Sequence, residues 1–408
     1  MDITRAHDGT PDPLADVVSD QYAKWVYPEP IEDLPGWLAN NWQWFDPSHA
    51  HLAYWPDRPY RPDLDILVAG CGTNQAAEIA YTNPGARVVA IDVSATSLAH
   101  HRHLKEKYAL ENLELHQLPI EQVATLGRDF DLIISTGVLH HLADPQAGMD
   151  ALATCLRVDG VMAIMLYARY GRFGVEILQS LFRELGLAQD DASVEIVKQA
   201  LASLPDGHPV RTYLAIAPDL DFDAGLVDTF LHGRDRSFTV DDCLDLVTTA
   251  GLVFQEWFLK SPYYPPRGTD NALLSSIAAL PQDRQWAAME RINTGNACHF
   301  FTACRADRPA DSYRIDWSSA GTASYVPTLR YQCYLDGQDI VRPGWRLGLD
   351  PVQAALVRSA DGRRTLAEIV DRAVELGLLS VADPRGFGRD LFRSLWERDF
   401  VVVGLASA

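Results

Sequence analysis

Ile66 to Gln75, ILVAGCGTNQ, carries a short apolar run into two glycines and on into residues suited to opening a helix. Glycines at 70 and 72 permit a tight turn and let a ligand approach the backbone closely. Dinucleotide dehydrogenases use such a turn, and a turn that merely joins two elements needs no ligand at all. Asp92 narrows the choice. It closes the next apolar run, RVVAID, twenty residues beyond Gly72, where a carboxylate can accept hydrogen bonds from both ribose hydroxyls of a nucleoside. The competing role for Asp92 is a helix cap just before Ser94.

The elements that must hold these residues follow from the pattern around them. From Asp65 onward, short apolar runs alternate with longer amphipathic segments, as in a parallel sheet with crossover helices. Strands are predicted over 64–69, 87–92, 113–118, 130–135 and 161–167, the last after the turn signal of Asp159-Gly160. Helices are predicted at about 75–82, 95–108 and 146–156. Residues 171–249 read as mostly helical, with Ile177, Leu178, Leu181 and Leu185 at helical spacing in one stretch. Strands at 252–259 and 299–304 then complete the sheet. The expected fold is α/β: a doubly wound, mostly parallel seven-stranded sheet with a helical insertion, plus a small α-rich C-terminal domain. Residues 1–60 form an aromatic-rich lid or cover, and 61–308 the main domain with its insertion at about 171–250. Residues 309–345, rich in Pro, Asp and Ser at their start, read as a linker, and 346–408 as the small domain.

From the glycine turn through the fifth strand, roughly residues 64–168, the chain resembles class I S-adenosylmethionine-dependent methyltransferases, and the likeness extends toward 305. VVAIDVSATSLAHHR is similar to that family's second strand and helix. FDLIISTGVLHHLADP is similar to its fourth strand and following loop, and LRVDGVMAIMLY to its turn and fifth strand. The resemblance implies S-adenosylmethionine as cofactor and methyl transfer to an unidentified small-molecule or peptide/protein acceptor. It places Gly70, Cys71 and Gly72 at the amino-acid end of the cofactor and Asp92, with Val93 beside it, at the ribose. Leu118 and Pro119 would flank the adenine, and Thr136 and Gly137 would lie beneath the sulfonium. Three positions depart from the family pattern: Val68 where an acid is common, Asn74 for the loop's third glycine, and Pro119 for a polar residue, with Glu121 two positions on. Asn74 and Gln75 would compensate through hydrogen bonds to the methionyl group. A second reading of these departures is an S-adenosylmethionine-binding scaffold or regulatory protein without methyl transfer.

A sulfonium methyl is electrophilic already, so the enzyme must chiefly hold an acceptor in line with the S–CH₃ bond. Aromatic faces stabilise a sulfonium by cation–π attraction. QYAKWVYPEP at 21–30, with Trp37, Trp42, Trp44, Phe45, Tyr54 and Trp55, supplies such faces. The cluster reads either as a lid carrying Tyr22 and Tyr27 or as a Trp-rich cover on the sheet edge. A hydroxyl or protonated-amine acceptor requires a general base. Of the pair after strand four, His140 is the expected base facing substrate, and His141 the one that packs and orients the loop. No third ligand accompanies them, so no metal is expected. Tyr167 and Arg172, in YARYGR after strand five, are expected at the substrate, with Tyr27. The arginines there would clamp an anion or else only neutralise carboxylates.

Asp and Glu outnumber Lys and Arg by 55 to 35, a net charge of −20. Such a surface repels phosphate backbones and disfavours nucleic acid as partner. The N-terminus has no apolar core of signal-peptide length, and no run of eighteen or more apolar residues occurs. Six scattered cysteines form neither a disulfide framework nor metal knuckles. These features point to a cytoplasmic protein away from membranes. DGRRTLAEIV, near the C-terminus, resembles the second helix of PqqD-like winged-helix domains, which bind peptides. That likeness implies a peptide acceptor; homodimerisation or covering is the other role open to this unit.

Overall fold

The computed structural model describes residues 14, 17–41, 43–268 and 270–405. Trp42, part of the expected aromatic cluster, lies outside them. The central sheet has seven strands: β1 Asp65–Ala69, β2 Arg87–Asp92, β3 Leu113–Gln117, β4 Phe130–Thr136, β5 Leu156–Tyr167, β6 Leu252–Trp257 and β7 Cys298–Arg305. Their order is β3-β2-β1-β4-β5-β7-β6, with all pairings parallel except those of β7, which is antiparallel to β5 and β6. A period of two explains why these runs are apolar throughout. Leu67, Val89, Ile91 and Ile133 feed the core on one face, while Ile66, Val68, Val88 and Ala90 feed the core on the other. Both faces are covered, so neither set can be polar. Val68, at a position where the family often has an acid, is one of these packing residues.

The helices Gln75–Thr82 and Ala95–Tyr108 cross between the first three strands, and Ser94 rather than Asp92 caps the second, its hydroxyl accepting from Ser97 N–H at 3.1 Å. β5 begins at Leu156, earlier than expected, and takes in the Asp159-Gly160 turn signal. The pairing with β4 shifts register there, between Phe130 and Leu132, so the irregularity is absorbed within the strand. Helices and turns fill the segment between β5 and β6, among them Phe173–Glu184, Asp191–Ser203 and Asp223–Phe230. They share a core built on Val175, Phe182, Val210 and Phe230. The pre-sheet aromatics divide between two places. Phe45, Tyr54 and Trp55 are buried in one sheet-face core, with Trp44 packed on Phe300, whereas Tyr22 and Tyr27 reach the cleft described below.

The expected linker at 309–345 is instead structured. β8 (Tyr325–Leu329) pairs antiparallel with β12 (Val401–Leu405), and β9 (Tyr334–Asp336), β10 (Asp339–Arg342) and β11 (Trp345–Gly348) form a small antiparallel sheet. With the helices Pro351–Arg358, Leu366–Glu375 and Pro384–Glu397 they build a C-terminal unit whose apolar side continues one of the main-sheet cores. Asp399 ties the two together. Its carboxylate accepts from Lys260 N–H, Ser261 N–H and Arg330 Nη1, each at 3.0 Å. No helix among the described residues is long and apolar enough to cross a membrane.

Candidate functional site

β1 ends in a turn whose glycines have positive φ, 73° at Gly70 and 56° at Gly72. A Cβ on Gly70 would lie 2.4 Å from Val138 Cγ2, and one on Gly72 would lie 3.0 Å from Pro28 Cδ. The turn therefore closes against the loop after β4 on one side and the N-terminal segment on the other. Gly70→Ala should cost about 1–3 kcal/mol from the left-handed backbone, before the clash is counted; a urea unfolding midpoint unchanged from wild type would refute this.

Asp92 faces the turn across the edge. It accepts from Gly72 N–H (Oδ2, 2.9 Å) and from Ser94 N–H (Oδ1, 2.8 Å). Each carboxylate oxygen keeps a lone pair, and the side chain lines a cleft of about 910 Å³ at the carboxyl ends of the strands. Burial pushes the Asp92 carboxyl up to about 6, partly offset by the amides of Ser94, Gly72 and Val93. Gly70, Gly72, Val93, Leu118, Thr136 and Gly137 share this lining. Four other expected cofactor contacts do not. Cys71 is buried, and Pro119 is absent from the lining. The Asn74 amide is spent on the N-terminal segment, donating to Glu29 O at 3.0 Å and accepting from Ile31 N–H at 3.2 Å. Gln75 donates to Thr136 Oγ1 at 3.0 Å. Asn74 and Gln75 thus shape the walls of the cleft from behind instead of facing into it.

Another wall of the cleft is built by the N-terminal segment, β5 and the insertion. Tyr22, Tyr27, Tyr167, His141, Asp228 and Met165 meet there. Asp228 lies on the helix Asp223–Phe230, and its carboxylate accepts from Tyr22 Oη at 2.8 Å and from Tyr167 Oη at 3.5 Å. Among the described residues no Lys, Arg or His comes within ion-pair distance of Asp228; burial raises its carboxyl above the usual range, with the neighbouring His141 and the Tyr22 hydrogen bond acting the other way.

The two histidines exchange the positions expected of them. His140 is fully buried, stacks on Tyr167 at 3.9 Å, and accepts from Tyr167 N–H at 3.4 Å, whereas His141 lines the cleft. Residues 139–141 form a single 3₁₀ turn, which sends adjacent side chains to different sides. Arg172 is also withdrawn. Its guanidinium stacks on the outer face of Tyr167, 3.6 Å from the ring centre, and pairs with Asp235 at 2.9 Å. It supports the tyrosine and does not reach the cleft.

Ligand atoms of His141, Asp228 and His232 come within 4.8 Å of one another, close enough for a metal. His232 argues against one. Arg234 N–H donates to His232 Nδ1 at 3.0 Å, so the proton sits on Nε2, the nitrogen that faces Tyr22 at 3.5 Å. Asp228 was not legible as a site residue. GLVDTFL reads as an apolar helix face, and the one acid within it is the only local signal for Asp228.

Residues 67–162 match the family of methyltransferase domains. An uncharacterized protein of Synechococcus sp. is 28% identical over 378 residues, covering 88% of this chain and 89% of that one. Trans-aconitate 2-methyltransferase of Deinococcus radiodurans is 31% identical over 172 residues, 40% of this chain and 62% of that protein. The solved structure of PKMT2 from Rickettsia typhi in complex with AdoHcy superposes with a TM-score of 0.63 at 13% identity, over 89% of this chain and 76% of that one. That likeness is one of fold, and it takes in the C-terminal unit as well as the sheet. The chain is an S-adenosylmethionine-dependent methyltransferase. The residues at hand fit that cofactor: a turn that a Cβ on Gly70 would fill, and a buried carboxylate with lone pairs left for hydroxyl donors.

Proposed function

We propose that this methyltransferase transfers its methyl group to an amine, carried by a small molecule or by a peptide or protein side chain. Asp228 carries the reading: a buried carboxylate with no cationic partner among the described residues, walled by Tyr22, Tyr27 and Tyr167. Such a pocket suits an ammonium group, by charge and by the faces of the rings. When bound, S-adenosylmethionine supplies an electrophilic methyl on sulfur. Gly70, Gly72 and Asp92 would hold its amino-acid and ribose ends, and Val93, Leu118, Thr136 and Gly137 would line the rest of its site. Tyr22 and Tyr27 close the cleft from the N-terminal side, excluding water from the reacting centre. The C-terminal unit, tied through Asp399 to the segment that follows β6, is proposed to brace the sheet edge; the PqqD-like role in binding a peptide acceptor would be an addition to this.

Transfer of labelled methyl from S-adenosylmethionine should go to alkyl diamines and lysine-containing peptides in preference to carboxylates and phenols. Label recovered as base-labile methyl ester would overturn the amine assignment. Cofactor affinity should also depend on pH. Ribose hydroxyls donate to the ionised form of Asp92, which exists above about 6 in the free protein. Affinity for S-adenosylhomocysteine is therefore full above that pH and falls below it, by at most about tenfold per pH unit. A Kd that is flat from pH 7.5 to 5 would contradict the role of Asp92.

A further inference from the structure

His141 and His232 stack with ring centres 3.9 Å apart and planes at 16°, and the peptide groups of one residue hold both. The carbonyl of Arg234 lies 3.0 Å from His141 Nδ1. A carbonyl only accepts, so His141 carries a proton on Nδ1, and its neutral form keeps the lone pair on Nε2. The amide of the same residue donates to His232 Nδ1 at 3.0 Å, which puts the His232 proton on Nε2. Arg234 also donates from Nε to the His141 carbonyl at 2.8 Å, fixing the ring's position. Two stacked rings are thus set in opposite tautomers. His141 is the one that lines the cleft, and its Nε2 meets no hydrogen-bond donor among the described residues.

Behind it stands Asp235. Its Oδ2 is held by Arg172 Nη2 at 2.9 Å and Gln179 Nε2 at 2.8 Å, while its Oδ1 is buried without a hydrogen bond, 3.8 Å from His141 Nδ1. A bare carboxylate oxygen costs free energy unless something charges beside it. An imidazolium at His141 would be that partner.

We propose that His141 is the proton acceptor of this site and that Asp235 and Arg234 are its positioning residues. This rests on reading the cleft as the acceptor site. A protonated amine held at Asp228 gives its proton to His141 Nε2. The freed nitrogen lone pair then bonds to the methyl carbon as the S–CH₃ pair returns to sulfur, leaving a methylammonium, S-adenosylhomocysteine and an imidazolium that later loses its proton to water. Facing His141 are His140, His232, Tyr167, Asp228 and Asp235, with Arg172 and Arg234 as the nearby cations. His140 and His232 are held toward the neutral form, chiefly by burial, and of the three rings His141 is the one that lines the cleft.

The test needs no acceptor. Long-range ¹H–¹⁵N spectra of histidine-labelled protein with S-adenosylhomocysteine bound, assigned with His141→Asn, should show the His141 proton on Nδ1 and the His232 proton on Nε2. In Asp235→Asn the His141 midpoint should move down by about one pH unit or more, since the stabilising carboxylate is lost. A wild-type His141 protonated on Nε2, or a midpoint unmoved in folded Asp235→Asn, would overturn the proposal while S-adenosylhomocysteine binding stays intact. Loss of that binding in wild type would take down the cleft reading along with it.

Discussion

Asp228→Asn should lower kcat/KM for an amine acceptor by about two to three orders of magnitude while leaving the Kd of S-adenosylhomocysteine within about threefold of wild type. Solvation and charge set the size of this effect. An ammonium entering this cleft leaves water, and a buried pair becomes favourable only with good geometry and supporting hydrogen bonds. Tyr22 and Tyr167 supply those bonds to the carboxylate, at 2.8 and 3.5 Å. Removing one partner of such a pair costs about 2–5 kcal/mol. The amide of Asn keeps the shape and can still meet Tyr22, so stability should change little by comparison. The cofactor end is built from other elements, which is why its affinity should hold. An acceptor that is a carboxylate or phenol would respond in the opposite sense, gaining from the loss of a like charge. Equal kcat/KM in the variant would remove Asp228 from acceptor recognition.

The second large effect is expected at Asp92. Asp92→Ala should weaken S-adenosylhomocysteine binding by about 1–3 kcal/mol, the cost of losing charge-assisted hydrogen bonds to ribose. Part of that loss is indirect, because the same carboxylate anchors Gly72 N–H and Ser94 N–H and so shapes the turn. Calorimetry on the folded variant measures the sum. Unchanged affinity would refute the ribose assignment outright.

The cofactor half of this site was far more legible in the chain than the acceptor half. Gly70, Gly72 and Asp92 lie within two consecutive strand-to-helix units, where residue type, spacing and backbone demand act locally. The helices 75–82 and 95–108 were legible for the same reason. Asp228 and Arg234 reach the cleft only because the insertion folds back over β5, and no local pattern encodes that closure. The positions of His140 and His141 turned on a single 3₁₀ turn that sends neighbours to different sides. Arg172 read either as an anion clamp or as a neutraliser of carboxylates; the pair with Asp235 is of the second kind, and the chain shows no local sign of which, because that partner lies far along it. The segment 309–345 misled by composition: β8 holds its place by pairing with β12, more than seventy residues later, with Pro327 within it. Long-range pairing of that kind leaves no periodic trace in so short a run.

This cleft is proposed to hold S-adenosylmethionine and to position its methyl group for transfer. Calorimetric titration of the full chain with S-adenosylmethionine and with S-adenosylhomocysteine tests it most directly. Binding of both at micromolar Kd, with one site per chain, is the result expected from the turn at Gly70 and Gly72 and the open lone pairs of Asp92. Absence of heat and of competition for either ligand, in protein shown to be folded, would contradict it.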